Sequence, residues 1–119
     1  LVVRRSRELY FYPGYWNGIS GFLDDKISFK EKVKDEIREE VGIPGQMIAR
    51  IRLCEIFHQD AQKYGKTWIV HPVLVEVKTD KIKLDWEASD FKWIRLSEAK
   101  KLKLLPGFDR VLKKISPWI

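Results

Sequence analysis

The sequence predicts an α/β fold, a mixed β-sheet with helices on both faces, in a single domain spanning residues 1–119. Three observations predict it. Strand-like runs are interspersed with a few helices without strict alternation, which points to a mixed sheet. Two stretches, one central and one C-terminal, carry the apolar spacing of helices that bury one face. With 119 residues, 45% of them hydrophobic and including five Trp, four Tyr and six Phe, the chain has the size of one domain and the material for a core. Such a chain buries somewhat under ~70% of its unfolded surface. Disorder is excluded, and no apolar run approaches the ~18 residues that mark a membrane span.

Taken in order, residues 1–5 form a short strand, β-branched at Val2 and Val3. The chain opens inside this strand and without Met, consistent with a trimmed leading strand. Arg4 and Arg5 alternate across it, so one of them is expected to face a site. Tyr10, Phe11, Tyr12, Tyr15 and Trp16 cluster around the turn signal Pro13-Gly14; they are either sheet packing or, beside a phosphate site, a base-stacking wall. Residues 16–20 continue as a strand into Gly21. Beyond the central helix, Pro44-Gly45 turns the chain and residues 47–57 read as one long strand. Residues 58–66 read as a polar loop with a tight turn at Tyr64-Gly65. Residues 67–77 form the next strand, where Pro72 marks an edge or a bulge. Thr67, Ile69, His71, Val73, Val75 and Val77 share one of its faces, which makes His71 structural and leaves His58 the better functional candidate. A turn at Thr79-Asp80, a loop over 86–90 and a strand over 91–95 follow. Ser97 caps a short helix that Pro106-Gly107 breaks, and Phe108, Val111, Leu112 and Ile115 line the apolar face of a last helix.

The central helix carries the chemistry. Ser28 followed by Glu31 is a capping box, and each side chain satisfies a free backbone N–H of that turn. No proline or glycine interrupts residues 29–41, and Gly42 supplies the left-handed residue that stops a helix. Val33, Ile37 and Val41 form an apolar stripe. Glu36, Glu39 and Glu40, spaced i, i+3, i+4, gather three carboxylates on a neighbouring face, where they repel one another unless a cation sits among them. A hard divalent ion fits such a set, because Mg²⁺ takes one or two carboxylates together with phosphate oxygens and water. The alternative is a solvated, charged helix face.

The frame around these glutamates resembles the Nudix box, G-x5-E-x7-R-E-U-x-E-E-x-G-U with U aliphatic. Gly21 matches its first glycine, and Glu36, Ile37, Glu39, Glu40, Gly42 and Ile43 match its tail. Residues 1–6 with Pro13-Gly14-Tyr15-Trp16, and residues 87–94 with Glu87 and Trp93, resemble further parts of the family, so the likeness covers nearly the whole chain. It implies a Nudix-like α/β/α sandwich and a Mg²⁺-dependent (or Mn²⁺-dependent) pyrophosphohydrolase acting on a nucleoside diphosphate linked to another group. Metal is then expected at Glu36, Glu39 and Glu40. The catalytic residues are expected among Glu36, Glu40 and Glu87, with the base left open among these three. Substrate contacts are expected at Arg4 or Arg5, Lys26 and Gly21. Two positions depart: Ile27 stands where the box has Glu, and Asp35 where it has Arg. Lys32, four residues before Glu36, is the expected compensating charge, and Asp24 and Asp25 are candidate replacement ligands. The departures also keep open a catalytically attenuated module that binds a nucleotide or RNA. No subfamily marker is present near Phe57, His58 and Gln59, so nucleoside triphosphates, dinucleoside polyphosphates, ADP-ribose-like compounds and RNA ends all stay open.

Other signals carry less. A net charge of +6 suits a polyphosphate substrate; the lysines are scattered, which is compatible with RNA without arguing for it. A single cysteine, Cys54, suits a reducing cytoplasm and, within an apolar strand pattern, reads as a buried inert thiol. Nothing around it resembles the site of the isopentenyl diphosphate isomerases that share this fold. Two histidines and one cysteine make no zinc set.

Overall fold

The computed structural model describes residues 1–23 and 26–119, so Asp24 and Asp25 lie outside the described residues. The elements are β1 Val2–Arg5, β2 Trp16–Asn17, α1 Phe29–Val41, β3 Ile48–Leu53, β4 Phe57–Ala61, β5 Lys66–Val70, β6 Val73–Val77, β7 Ala88–Lys92 and α2 Phe108–Ile115. Single 3-10 turns or short 3-10 helices occupy Gly45–Met47, Gln62–Tyr64, Leu96–Lys101 and Ser116–Trp118.

β1 is the pivot. It lies between β2 and β7, antiparallel to both, with Val3 opposite Asn17 on one side and Phe91 on the other. Successive side chains of a strand point to opposite faces, and both faces are covered here. Val3 joins Ile37, Val41 and Ile43 in one cluster, the α1 layer, while Val2 joins Trp16 and Phe108 in a second, the α2 layer. This is an α/β/α sandwich. β3 pairs with β6, and β4 with β5, again antiparallel; the parallel component is the bridge between Trp16 and Leu104. Among the described residues no helix is long and apolar enough to cross a membrane.

Helix α1 takes the expected limits. Ser28 Oγ accepts the Glu31 N–H at 3.2 Å, and Gly42 closes the helix at φ 71° with its N–H on Arg38 O. The strands depart from expectation at one place above all. The expected strand over 47–57 stops at Leu53 and resumes at Phe57. Opposite the gap, the expected strand over 67–77 is cut at His71-Pro72. Pro72 has no N–H to give the ladder; its carbonyl still accepts from Cys54 N at 2.9 Å. The expected polar loop over 58–66 is therefore mostly the β4–β5 hairpin, closed by Gly65 at φ 62°. The break also exchanges faces: Ile69 is 60% exposed whereas Val75 and Val77 pack on the core. Cys54, in the gap, is half-buried rather than buried.

Smaller shifts follow from pairing. β2 ends at Asn17, and the expected strand over 91–95 is β7, displaced toward the N-terminus by its ladder with β1. The Leu96–Lys101 turn is capped at Arg95, whose N–H donates to Glu98 Oε1 at 3.1 Å, and not at Ser97.

Ile43 is 2% exposed in the α1 layer and Met47 is 37% exposed. Ile43→Ala is expected to cost about 2–5 kcal/mol in urea unfolding. Met47→Ala is expected to stay within about 1 kcal/mol of the parent.

Candidate active site

Helix α1 and the segment before it set the first wall of the site. Glu36 pairs with Lys32 one turn earlier, Nζ to Oε1 at 2.7 Å. Gly21 lies directly against this carboxylate: a Cβ built there would stand 2.7 Å from Glu36 Oε1. Only glycine leaves Glu36 its place. Asp35, in the position of the motif's arginine, is held by Arg38 at 3.2 Å on the helix surface. Lys32 and Arg38 thus flank Glu36 and Asp35 with positive charge.

The second wall is stitched to the first through backbone. Past α1 the chain returns along its last turn, with Lys83 N donating to Val41 O at 2.9 Å and Asp85 N to Glu40 O at 3.2 Å. Asp85 Oδ1 then accepts the Glu87 N–H at 3.0 Å, and Glu87 O accepts from Ser6 N at 2.8 Å. Glu87 is thereby fixed between the C-terminal turn of α1 and the end of β1. Arg5 shares the face of Val3, two residues earlier, and so points to the α1 side. Its Nε donates to Phe11 O at 2.9 Å. Burial lowers the guanidinium pKa, while Glu87, Glu40 and Tyr64 pull it upward.

These placements crowd carboxylates. Glu40 is pushed up to about 10 from the ordinary 4.5, first by burial, then by its hydrogen bond with Glu87 and by the charges of Glu87, Glu36 and Asp85. Without a cation, Glu40 keeps its proton. Beside it, Asn17 is 3% exposed and its Oδ1 has no hydrogen-bond partner among the described residues. Asn17, Glu40, Asp85 and Glu87 border a small cavity of about 20 Å³. Glu36, Glu40, Glu87, Arg5 and Lys32 also belong to the lining of an open cavity of about 1290 Å³, which extends past residues of both helix layers.

The donors are all oxygen, which suits a hard divalent ion. Among the described residues no three acid, His or Cys side chains stand close enough to enclose a metal unaided. Glu36 and Glu40 are the oxygen donors from which Mg²⁺, which takes one or two carboxylates with water and phosphate oxygens, could draw its protein ligands. The residues present fit such an ion.

Of the residues singled out in the sequence, Glu36, Glu87 and Arg5 come together around Glu40 at the acid end of this cavity, and Gly21 and Lys32 lie against Glu36. Glu39 is exposed, as are Arg4 and Lys26, and none of the three lines it. Arg4 donates from Nε to Gly14 O at 3.2 Å. His58 is exposed on β4, its carbonyl accepting from Arg110 Nη1 at 2.7 Å. His71, exposed at the strand break, lines the cavity with its ring 5.9 Å from that of Phe29. Sequence reasoning missed Asp85, Asn17 and Arg38. The i, i+3 spacing of Asp35 and Arg38 was a usable signal; the other two are brought in by tertiary contact.

The fold and the domain match over the chain define the class of the Nudix-type hydrolases. The chain belongs to the NUDIX domain family, whose pattern matches residues 1–119. No curated protein matches it significantly. Among solved structures it is similar to the MutT protein from Methanosarcina mazei Go1, at 24% identity and a TM-score of 0.76 over 98% of this chain and 82% of that one. It is similar to a C. elegans Ap4A hydrolase at 20% identity and a TM-score of 0.73, over 98% and 83% of the two chains. It is also similar to the NUDIX domain of Shewanella oneidensis NrtR complexed with ADP ribose, at 15% identity and a TM-score of 0.78, over 98% and 75%. At these identities the likeness establishes the fold.

Two outcomes follow from the geometry. A carboxyl raised in the folded protein favours the folded state fully below its unfolded value of 4.5, and that contribution is lost as pH rises toward about 10. Glu40→Gln, which fixes the neutral form, is expected to flatten the fall of Tm between pH 5 and pH 9 in EDTA; an unchanged decline would count against Glu40 as its source. Gly21→Ala is expected to leave Tm nearly unchanged, because the obstructing atoms belong to a movable side chain. It should weaken Mn²⁺ binding roughly tenfold or more by displacing Glu36, measured by titration of the free ion.

Proposed function

We propose that the protein is a divalent-metal-dependent pyrophosphohydrolase that cleaves a nucleoside diphosphate linked to another group. The observation that carries this reading is the gathering of Glu36, Glu87 and Arg5 around Glu40, where burial and neighbouring charge make Glu40 keep a proton unless a cation arrives. Glu36 and Glu40, joined by Glu39 from the solvent side, are the proposed ligands of Mg²⁺ or Mn²⁺. When bound, the ion supplies charge neutralisation on the diphosphate and lowers the pKa of an attacking water.

The chain's own groups do the rest. Arg5, oriented by Phe11 O, holds a phosphate oxygen electrostatically. Lys32 fixes the rotamer of Glu36 through their 2.7 Å pair and replaces the charge that Asp35 lacks. Once an ion takes the place of the Glu40 proton, Glu87, held beside Glu40 by the Asp85 Oδ1 bond to its N–H, is the group proposed to take a proton from water as general base. One structural neighbour is complexed with ADP ribose, a nucleoside diphosphate linked to a sugar, and another is named an Ap4A hydrolase, in keeping with the proposed substrate class.

Ile27 and Asp35 favour a second reading, a module that binds a nucleotide or RNA without turnover. Phosphate release from a panel of nucleoside diphosphate derivatives separates the two. The expected result is Mg²⁺- or Mn²⁺-dependent cleavage that falls about 10²-fold or more in Glu40→Gln and in Glu87→Gln. Lys32→Met should lower it too, and wild-type rates in that variant would remove Lys32 from the mechanism. Folded, metal-supplied protein that turns over nothing in the panel would favour the binding module.

A further inference from the structure

We infer that Asn17 is a positioning residue for the proposed general base: its buried amide oxygen anchors one internal water, and that water holds the Glu87 carboxylate in place. The proposal rests on the reading of Glu87 as the base.

Asn17 lies on β2 directly opposite Val3, and residues paired across two strands point to the same face. Val3 packs in the α1 layer, so Asn17 faces that layer, whereas Trp16 before it packs in the α2 layer. An amide thus occupies a core-facing position that an aliphatic side chain would fill equally well. It is 3% exposed, and its Oδ1 has no hydrogen-bond partner among the described residues. A buried acceptor without a donor is costly, and native structures rarely leave one unpaired.

The small cavity supplies the space for a donor. Asn17 borders it together with Glu40, Asp85, Glu87, Arg5 and Ser20. Its volume of about 20 Å³ exceeds the ~10–15 Å³ that one water needs. The chemistry of the border selects water as well. Asn17 Oδ1 and the carboxylates accept hydrogen bonds, so the occupant must donate at least two. The Arg5 guanidinium and the Ser20 hydroxyl are donors for its oxygen, which brings the water to the ~3 bonds usual for a buried one. Glu87 is where the water acts. Its backbone is fixed already, with the N–H on Asp85 Oδ1 at 3.0 Å and the carbonyl accepting from Ser6 N at 2.8 Å. Its side chain is not: the hydrogen bond with Glu40 lasts only while Glu40 carries a proton. A water anchored by a neutral amide donates whether or not that proton is present.

The test counts long-lived internal waters by ¹⁷O relaxation dispersion in EDTA and follows the Glu87 side chain by ¹³C relaxation. Asn17→Leu keeps nearly the shape of asparagine but cannot accept a hydrogen bond. It should hold one long-lived water fewer than the wild type and show a lower order parameter at Glu87 Cγ. Asn17→Ser restores an acceptor and should return both readouts toward the wild type. In turnover assays Asn17→Leu should lower kcat about tenfold or more with KM nearly unchanged, the scale of losses at groups that orient a site's ligands. Asn17→Ser should recover most of that loss. Equal water counts in the wild type and folded Asn17→Leu would overturn the proposal, as would an unchanged Glu87 order parameter or a wild-type kcat in that variant. Should Asn17→Leu fail to fold, the wild type decides alone: cross-relaxation between a long-lived water and the Asn17 side-chain amide protons supports the site, and its absence refutes it. Should the wild type cleave no nucleoside diphosphate derivative, the hydrolase reading fails by itself, and the water count with the Glu87 order parameter still decides the role of Asn17.

Discussion

β1 is covered on both faces, and the position of every functional group follows from that strand. Val3 is buried against Ile37, Val41 and Ile43 on one side, and Val2 against Trp16 and Phe108 on the other. The β1–β7 register shifts between Arg4 and Arg5, yet Arg5 still looks to the side of Val3, where Glu87 and Glu40 act on its guanidinium. The same burial holds α1 in rotation about its axis. Its apolar stripe faces β1, so Glu36 and Glu40, offset around the helix, look along the sheet toward Glu87. The core therefore sets the aim of the charged groups, and the acid cluster owes its geometry to aliphatic packing.

The acids on and beside the C-terminal half of α1 need separate solutions, and the structure uses a different one for each of four. Glu36 has the Lys32 ammonium, Asp35 the Arg38 guanidinium, Glu40 a proton, and Asp85 the backbone N–H of Glu87. The Asp35 pair is exposed and contributes little, about 0–1 kcal/mol; its effect is to take a negative charge away from the site. The Glu40 solution is of another kind. A proton can be exchanged for a metal ion, whereas the lysine on Glu36 and the backbone bond on Asp85 persist with either. Glu40 is thus the position at which the occupancy of the site and its charge are coupled.

How far this was legible in the sequence depended on whether the determining interaction is local. Helix α1 was readable to its end residues, since Ser28, the uninterrupted run and Gly42 act within one turn. α2 was equally plain, because its apolar spacing is its packing. The strands were not: Pro72 could be seen to disturb one strand, but that it would break the partner at residues 54–56 depends on which strand lies opposite. At the site, Glu36 and Glu40 came from spacing and Glu87 from family resemblance. Arg5 could have been separated from Arg4 by its parity with Val3 had the covering of both faces been known. Asp85 and Asn17 gave no local sign; each matters through a contact across the fold.

The two departures from the family pattern bear unequally on the proposed chemistry. At residue 35 the motif's cation has been exchanged for an anion, yet Glu36 is still paired, through Lys32 from the preceding turn, and Asp35 is turned outward onto Arg38. The positive charge has moved along the helix from one side of Glu36 to the other, and the carboxylate keeps its place against Gly21. Ile27 has no such replacement among the described residues. An apolar side chain there removes one carboxylate from the donor set, and among the described residues no three acids enclose an ion by themselves. On the proposed mechanism the shortfall falls on metal retention more than on the reacting geometry. The oxygens that complete the shell must then come from water and from the diphosphate itself, so metal and substrate bind as mutually dependent ligands. Such coupling is reciprocal, each tightening the other by the same factor, and a free site that holds its ion weakly is its natural consequence.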